Sequence, residues 1–340
     1  MLEKPLLNIL VVGFKLLRVM DLQNVELSSL PDEIGSIIHL RYLRLIVLQM
    51  LPSTITRLSN LQTFYLHCPE FNMQLDDICK MEKIRHLLLP WGCSISKHTP
   101  LHRLSNLQTL KVVKADSWIE AGLEKLTNLR DLEMHDLKMA SSHSICKLVR
   151  LRSLSLITRY GCSIPAFESF SNHQHLYKMK LSGRLEKFLD LHEFPLNLTE
   201  LHLIGSKIQQ DPMGTLEKLP NLRILALRQR HWTRKEESYM GKEMVCSAGG
   251  FLQLQRLSIE EGELVEWRVE EGAMPNLRCL EINSCYELKM LPDGLQHVTT
   301  LKELKLRMMA KELEERVREN EGEAWYKIRH IPSIIYPAGF

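Results

Sequence analysis

Aromatic side chains make up only 6% of this 340-residue sequence. A core built on stacked rings is therefore excluded, and the 44% hydrophobic content must pack as mostly aliphatic side chains. Charge of one sign is also missing, since 44 Lys and Arg stand against 41 Asp and Glu for a net +3. No global attraction to nucleic acid or anionic membrane follows from that balance, so electrostatic recognition must be local. No apolar run reaches 18 residues, and no membrane span is expected. The eight cysteines (68, 79, 93, 146, 162, 246, 279 and 285) contain no C-x-x-C pair. They are expected to be reduced, mostly structural thiols of a cytoplasmic protein.

Catalytic signatures are absent too. No G-x-x-x-x-G-K-[ST] loop occurs, because Gly241-Lys242 is followed by Glu243 and has no glycine five places before it. Neither H-E-x-x-H nor G-x-S-x-G is found, and the histidines lack metal-ligand spacing. No catalytic residue, cofactor or metal is expected, and the chain is not expected to be an enzyme.

What is present is a repeat. Leu277 to Leu291 carries L-x-x-L-x-L at Leu277, Leu280 and Ile282, then Leu288, Leu291 and Pro292. The same opening recurs at Leu17, Leu40, Leu61, Ile84, Leu107, Leu129, Leu151, Leu176, Leu198, Leu222, Leu254, Leu277 and Leu301, thirteen copies mostly 21 to 25 residues apart. That form and period are those of the leucine-rich repeat. Each L-x-x-L-x-L predicts a short strand whose leucines alternate inward, because successive side chains in a strand face opposite ways. One repeat cannot bury its own leucines, so stacked copies must share a core and pair their strands in parallel. The expected fold is an α/β solenoid, a leucine-rich repeat horseshoe of about 13 repeats. The parallel sheet would lie on the concave face, with irregular loops and short helices on the convex face. Leu30-Pro31, Leu51-Pro52 and Leu291-Pro292 fix turns that lead back into the core.

Three segments follow: an apolar lead-in over 1–16, the array over 17–309, and a capping segment over 310–340. The lead-in (Leu6, Leu7, Ile9, Leu10, Val11, Val12, Phe14) reads as an incomplete repeat or a docking surface for an upstream domain, with docking favoured. The 32-residue interval from Leu222 to Leu254 holds a long polar insertion over 228–250. It contains Arg228, Arg230, Arg234, Lys235 and Trp232, and is either a solvated loop or a partner contact through Trp232. Met134-His135-Asp136 spells a triplet known from nucleotide-binding switch domains, but Met134 falls on a core position of its repeat. The Asn197-Leu198-Thr199 sequon is weak evidence of secretion.

The third, fifth and seventh positions of each opening point away from the leucines. They give Tyr42, Arg44, Ile46; Thr63, Tyr65, His67; His86, Leu88, Pro90; and Thr109, Lys111, Val113. The series continues with Asp131, Glu133, His135; Ser153, Ser155, Ile157; Lys178, Lys180, Ser182; and Glu200, His202, Ile204. Exposed Tyr, His and Arg on consecutive repeats suit a protein interface, although a solvated face would use similar residues. The protein-binding candidates are Tyr42, Arg44, Tyr65, His67, His86, Lys111, Asp131, Glu133, Lys178 and Lys180. Their signs change along the face, which argues against a nucleic-acid track.

The run Phe14 to Leu22, His39-Leu40-Arg41-Tyr42-Leu43 and Leu58 to Thr63 are joined by three stretches that repeat physics does not demand. These are Gly241 to Phe251, Val269 to Pro275 and Ile328-Arg329-His330-Ile331-Pro332-Ser333. Together they resemble the leucine-rich repeat region of plant coiled-coil nucleotide-binding disease resistance proteins, over essentially the whole chain. Leu252 departs from the proline usual in that family. The coiled coil and nucleotide-binding domain of the family are not expected within these residues, so the ADP- or ATP-driven switch would not be either. The resemblance implies a cytoplasmic, non-enzymatic recognition and autoregulatory module that senses a pathogen effector or guarded host protein. Its partners would be that protein and the receptor's nucleotide-binding domain, with no nucleic acid. The alternative is a repeat adaptor such as a ubiquitin-ligase substrate receptor, which would need a helical box before the repeats.

Overall fold

The structure, a computed structural model, describes residues 9, 12–47, 51–67, 76–91, 96, 98–115, 118–137, 141–159, 162–208, 211–229 and 241–336, with the backbone alone at 47, 76, 77, 120, 121 and 141. Trp232, Arg230, Arg234 and Lys235 lie outside these residues, as do Leu6, Leu7, Leu10 and Val11 of the lead-in.

Every one of the thirteen openings heads a strand that starts two residues later. In the first compact unit, residues 1–159, the strands are Val19–Leu27, Tyr42–Val47, Thr63–His67, His86–Leu88, Thr109–Lys114, Asp131–His135 and Ser153–Ile157. Each is parallel to the next. The second unit, residues 160–340, carries Lys178–Ser182, Glu200–Ile204, Ile224–Arg228, Arg256–Glu260, Cys279–Asn283 and Glu303–Arg307. A further strand, Ser333–Ile335, lies within the 310–340 segment and pairs parallel with Glu303–Arg307. It extends the sequence expectation: Ile331, Ile334 and Tyr336 stand in the places of the leucines.

The leucines do what their spacing demands. Leu40, Leu43 and Leu45 are fully buried, and so are Leu61, Phe64 and Leu66 of the following repeat. Burial of each such side chain is worth about 1.5–3 kcal/mol, and neighbouring repeats must share it because a single one has only one covered side. Each Leu-Pro step is followed by a 3₁₀ turn, Asp32–Ser36, Ser53–Arg57 or Asp293–His297, with the proline's fixed φ placing it just before the first turn. Where the step is missing, the return segments still use short helical turns, such as Leu101–Arg103, Ser141–Cys146 and Met213–Leu216.

A side-chain ladder ties repeat to repeat. The residue before the opening leucine is often asparagine, and its amide donates to a backbone carbonyl of the preceding repeat. Asn60 reaches Ile38 at 2.8 Å, Asn106 reaches Glu82 at 3.2 Å and Asn128 reaches Ser105 at 2.8 Å. In the second unit Asn197 reaches Gln174 at 2.7 Å, Asn221 reaches Leu196 at 2.9 Å and Asn276 reaches Leu252 at 2.8 Å. The sequon asparagine, Asn197, is thus a rung of this ladder.

The second half of the 228–250 insertion is not loop. Glu243–Cys246 pairs in parallel with Glu266–Val269, forming a separate two-stranded sheet with Met244, Cys246 and Trp267 buried. The stretches Gly241 to Phe251 and Val269 to Pro275 meet there: Glu270 accepts from the Ala248 amide at 2.7 Å, and the Met274 amide donates to the Gly250 carbonyl at 3.0 Å. Packing of this small sheet accounts for residues that the repeat itself left unexplained.

Candidate protein-recognition face

The strand register of the first unit sets its outward residues in rows. One row runs Asp21, Arg44, Tyr65, Leu88, Lys111 across five strands, and another runs Tyr42, Thr63, His86, Thr109, Asp131, Ser153. In the first row the Arg44 guanidinium lies 4.4 Å from the Tyr65 ring centroid, a cation–π stack. Its Nε is buried and has no acceptor among the described residues. His67 is exposed beside it, while Tyr42, Leu88 and Lys111 are half-buried. In the second row His86 Nδ1 is 3.0 Å from Thr109 Oγ1, which in turn donates to Asp131 Oδ2 at 3.4 Å. Burial, opposed by Asp131, pushes the pKa of the His86 imidazole below its ordinary value. Asp131 and Glu133 also face outward, on the strand after Lys111.

Five residues expected to face outward are buried: Thr109, Ser182, Val113, Pro90 and His135. Val113 is fully buried, because Val112 is an extra residue at φ 60° that bulges the strand and slips the alternation by one. Pro90 is buried, as its strand ends at Leu88. His135 is 1% exposed: the Trp91 indole covers it, with ring centroids 4.4 Å apart. Its Nδ1 stands 3.5 Å from Asp136 Oδ2, which is held by Arg159 Nε at 2.7 Å. Burial pushes the His135 imidazole down, against the pull of Asp136.

The second unit's face is different in kind. Lys178 Nζ is 2.8 Å from Glu200 Oε1, and His202 Nε2 is 2.6 Å from the same oxygen. Burial pushes the Glu200 carboxyl up, but hydrogen bonds from Lys178 and His202 outweigh it and hold it below its usual range. Burial likewise lowers His202 against the pull of Glu200. Further along, Arg228 donates to Ser258 at 3.4 Å, Arg307 lies 4.0 Å from Glu281, and Lys305 lies 3.1 Å from Glu303. Beyond the series ending at Glu200, His202 and Ile204, the same alternation in Arg256–Glu260, Cys279–Asn283 and Glu303–Arg307 carries the signal for these later face residues.

No disulfide joins Cys246, Cys279 or Cys285 to another described cysteine. Burial pushes Cys246 and Cys285 up to about 12, which leaves both unreactive. Among the described residues no three His, Cys, Asp or Glu side chains are grouped to hold a metal ion, and no helix is long and apolar enough to cross a membrane.

Stacked parallel strands, shared leucine core and helical return turns define a leucine-rich repeat solenoid. Residues 4–331 match the family model described as leucine-rich repeat region, and the chain belongs to that family. It is 36% identical over 335 residues to probable disease resistance RPP8-like protein 4 of Arabidopsis thaliana, covering 94% of this chain and 36% of the relative. Disease resistance protein RPP8 of the same plant is also 36% identical over 335 residues, with the same coverage. The chain therefore spans little more than a third of the length of these relatives. Among solved structures, an internalin of Listeria monocytogenes superposes with a TM-score of 0.59 at 13% identity, covering 95% of this chain and 88% of the internalin, a likeness of fold alone.

Proposed function

We propose that this chain is a non-enzymatic, cytoplasmic recognition and autoregulatory module of a plant immune receptor, which binds a pathogen effector or guarded host protein on the outward face of its first unit. The observation that carries the proposal is the succession of Arg44, Tyr65, His67, His86 and Lys111 on four adjacent strands. Aromatic and arginine anchors of this kind concentrate binding energy at protein interfaces. The disease resistance proteins among its relatives support the immune setting over a ubiquitin-ligase adaptor. Ile9, Val12, Phe14 and Leu16 are exposed apolar residues and supply a second contact, to the nucleotide-binding domain of a receptor. Partner binding would then shift the receptor between states by its differential affinity for them.

The test is a split-luciferase screen in plant cells of pathogen effectors and host proteins against the chain. Hits are rescreened with Tyr65→Glu, His67→Glu, His86→Glu and Lys111→Glu combined, and with Lys80→Glu, Arg103→Glu and Lys125→Glu on the return segments. Loss with the first set and retention with the second is the expected result. Equal loss with both would refute the assignment of the face.

A further inference from the structure

Several cations of the second unit's face are neutralised by carboxylates of the same face, though among the described residues Lys180 has no such partner. On the second unit's face Lys178, His202, Lys305 and Arg307 each have a carboxylate within 4.0 Å. On the first unit's face Arg44 and Lys111 have no such partner among the described residues. Arg44 is nonetheless fixed in place by its stack on Tyr65, so its orientation costs a partner little entropy. A guanidinium held over an aromatic ring with no carboxylate of its own is a prepared site for one, through its terminal nitrogens.

Arg44, Tyr65, Leu88 and Lys111 stand opposite one another on four successive parallel strands. Three strand-to-strand steps separate the two cations, about 14 Å. An extended peptide advances about 3.3 Å per residue with alternate side chains on one side, so four residue steps cover that span and the residue midway faces the same way. Acids bracket the row. Asp21 lies opposite Arg44 on the preceding strand and accepts from the Gln23 amide at 3.1 Å, while Asp131 and Glu133 lie on the strand after Lys111. A polyanion running further in either direction would meet like charge, which disfavours nucleic acid and limits the acidic footprint to these four strands.

We infer that the row Arg44–Tyr65–Leu88–Lys111 receives an extended acidic segment of the protein partner, with carboxylates at positions i and i+4 and an apolar side chain at i+2. The i carboxylate meets Arg44, the i+4 carboxylate meets Lys111, and the apolar side chain lies on Tyr65 and Leu88; peptide polarity can run either way. The inference rests on the first unit's face being the partner surface.

The test uses the full chain and three fluorescein-labelled dodecapeptides read by fluorescence anisotropy. Their cores are Glu-Ser-Phe-Ser-Glu, the same with both Glu replaced by Lys, and Glu-Glu-Phe-Ser-Ser. Only the first should bind, with affinity falling as salt rises. Arg44→Gln and Lys111→Gln should each weaken it about tenfold, Arg44→Lys by less, and Lys180→Gln in the second unit not at all. Thermal unfolding at the wild-type temperature certifies that each variant is folded. Absence of binding at millimolar peptide, equal binding of the three cores, indifference to Arg44→Gln and Lys111→Gln, or preference for an oligouridine over the first peptide would each overturn the inference. If the peptide fails while the face variants still lose a partner in the cellular screen, the recognition face stands and only the acidic chemistry falls.

Discussion

The Lys327 ammonium is buried, 2.6 Å from Asp293 Oδ1 and 2.8 Å from the Leu291 carbonyl oxygen that it also donates to. One side chain thus pins the C-terminal segment to the Leu291-Pro292 turn of the preceding repeat. Lys327→Met removes both bonds and leaves the Leu291 carbonyl without its donor, at a cost of about 1–3 kcal/mol. Amide exchange should accelerate first in 311–336, ahead of global unfolding. The hydrogen bond from Lys327 holds the Asp293 carboxyl below its ordinary 3.8. Its contribution is complete above 3.8 and is lost as pH falls through the lower folded value, so acid should loosen this segment while Asp293→Asn removes that acid dependence.

The asparagine ladder sets a second expectation. Asn128 accepts from Arg150 at 2.8 Å through its carbonyl while its amide bridges to Ser105. Asn60 likewise accepts from Lys83 at 2.7 Å. Asn128→Ala should cost about 1 kcal/mol, seen as a lower urea midpoint with little change in slope. Arg150→Ala, at an exposed position, should cost less.

Buried imidazoles make the fold acid-sensitive by a separate route. His135 and His202 are both held below 6.5 by burial, so the unfolded chain takes up protons that the folded chain refuses. Their stabilising contribution is complete above 6.5 and shrinks as pH falls below it. Urea midpoints measured from pH 7 to pH 5 should decline, and His135→Phe, which keeps a ring beneath Trp91, should flatten that decline.

Gly294 lies against the outer two-stranded sheet. A Cβ built there would fall on the Val269 carbonyl, a backbone group with no room to yield. Gly294→Ala should therefore destabilise by about 2–4 kcal/mol, with the loss visible as a lower melting temperature. Gly214→Ala meets nothing within 4 Å and serves as the control.

The array was legible because leucine burial repeats in phase, and all thirteen openings head strands. Ser333–Ile335 was harder to see, since Ile331, Ile334 and Tyr336 replace leucines and a helix, Lys311–Arg316, intervenes. The pairing of Glu243–Cys246 with Glu266–Val269 was hidden because neither run carries the repeat pattern. On the face, alternation placed Arg44, Tyr65 and Lys111 correctly. It failed at Val113, where a bulge depends on backbone geometry, and at His135, whose cover comes from Trp91 on a distant strand's exit. Charge pairing needs the register: Lys178 and Glu200 are direct neighbours only once their strands are aligned.

The ladder has a consequence for how such a chain can change its length. Each rung joins the asparagine before one opening to the carbonyl two residues before the previous opening, so donor and acceptor positions each recur once per period. Duplicating or deleting one whole period leaves every donor matched, whereas inserting part of a period leaves a donor and a leucine row out of phase. The structure thus permits growth and loss in steps of one repeat, with the outward side chains free to differ at each step.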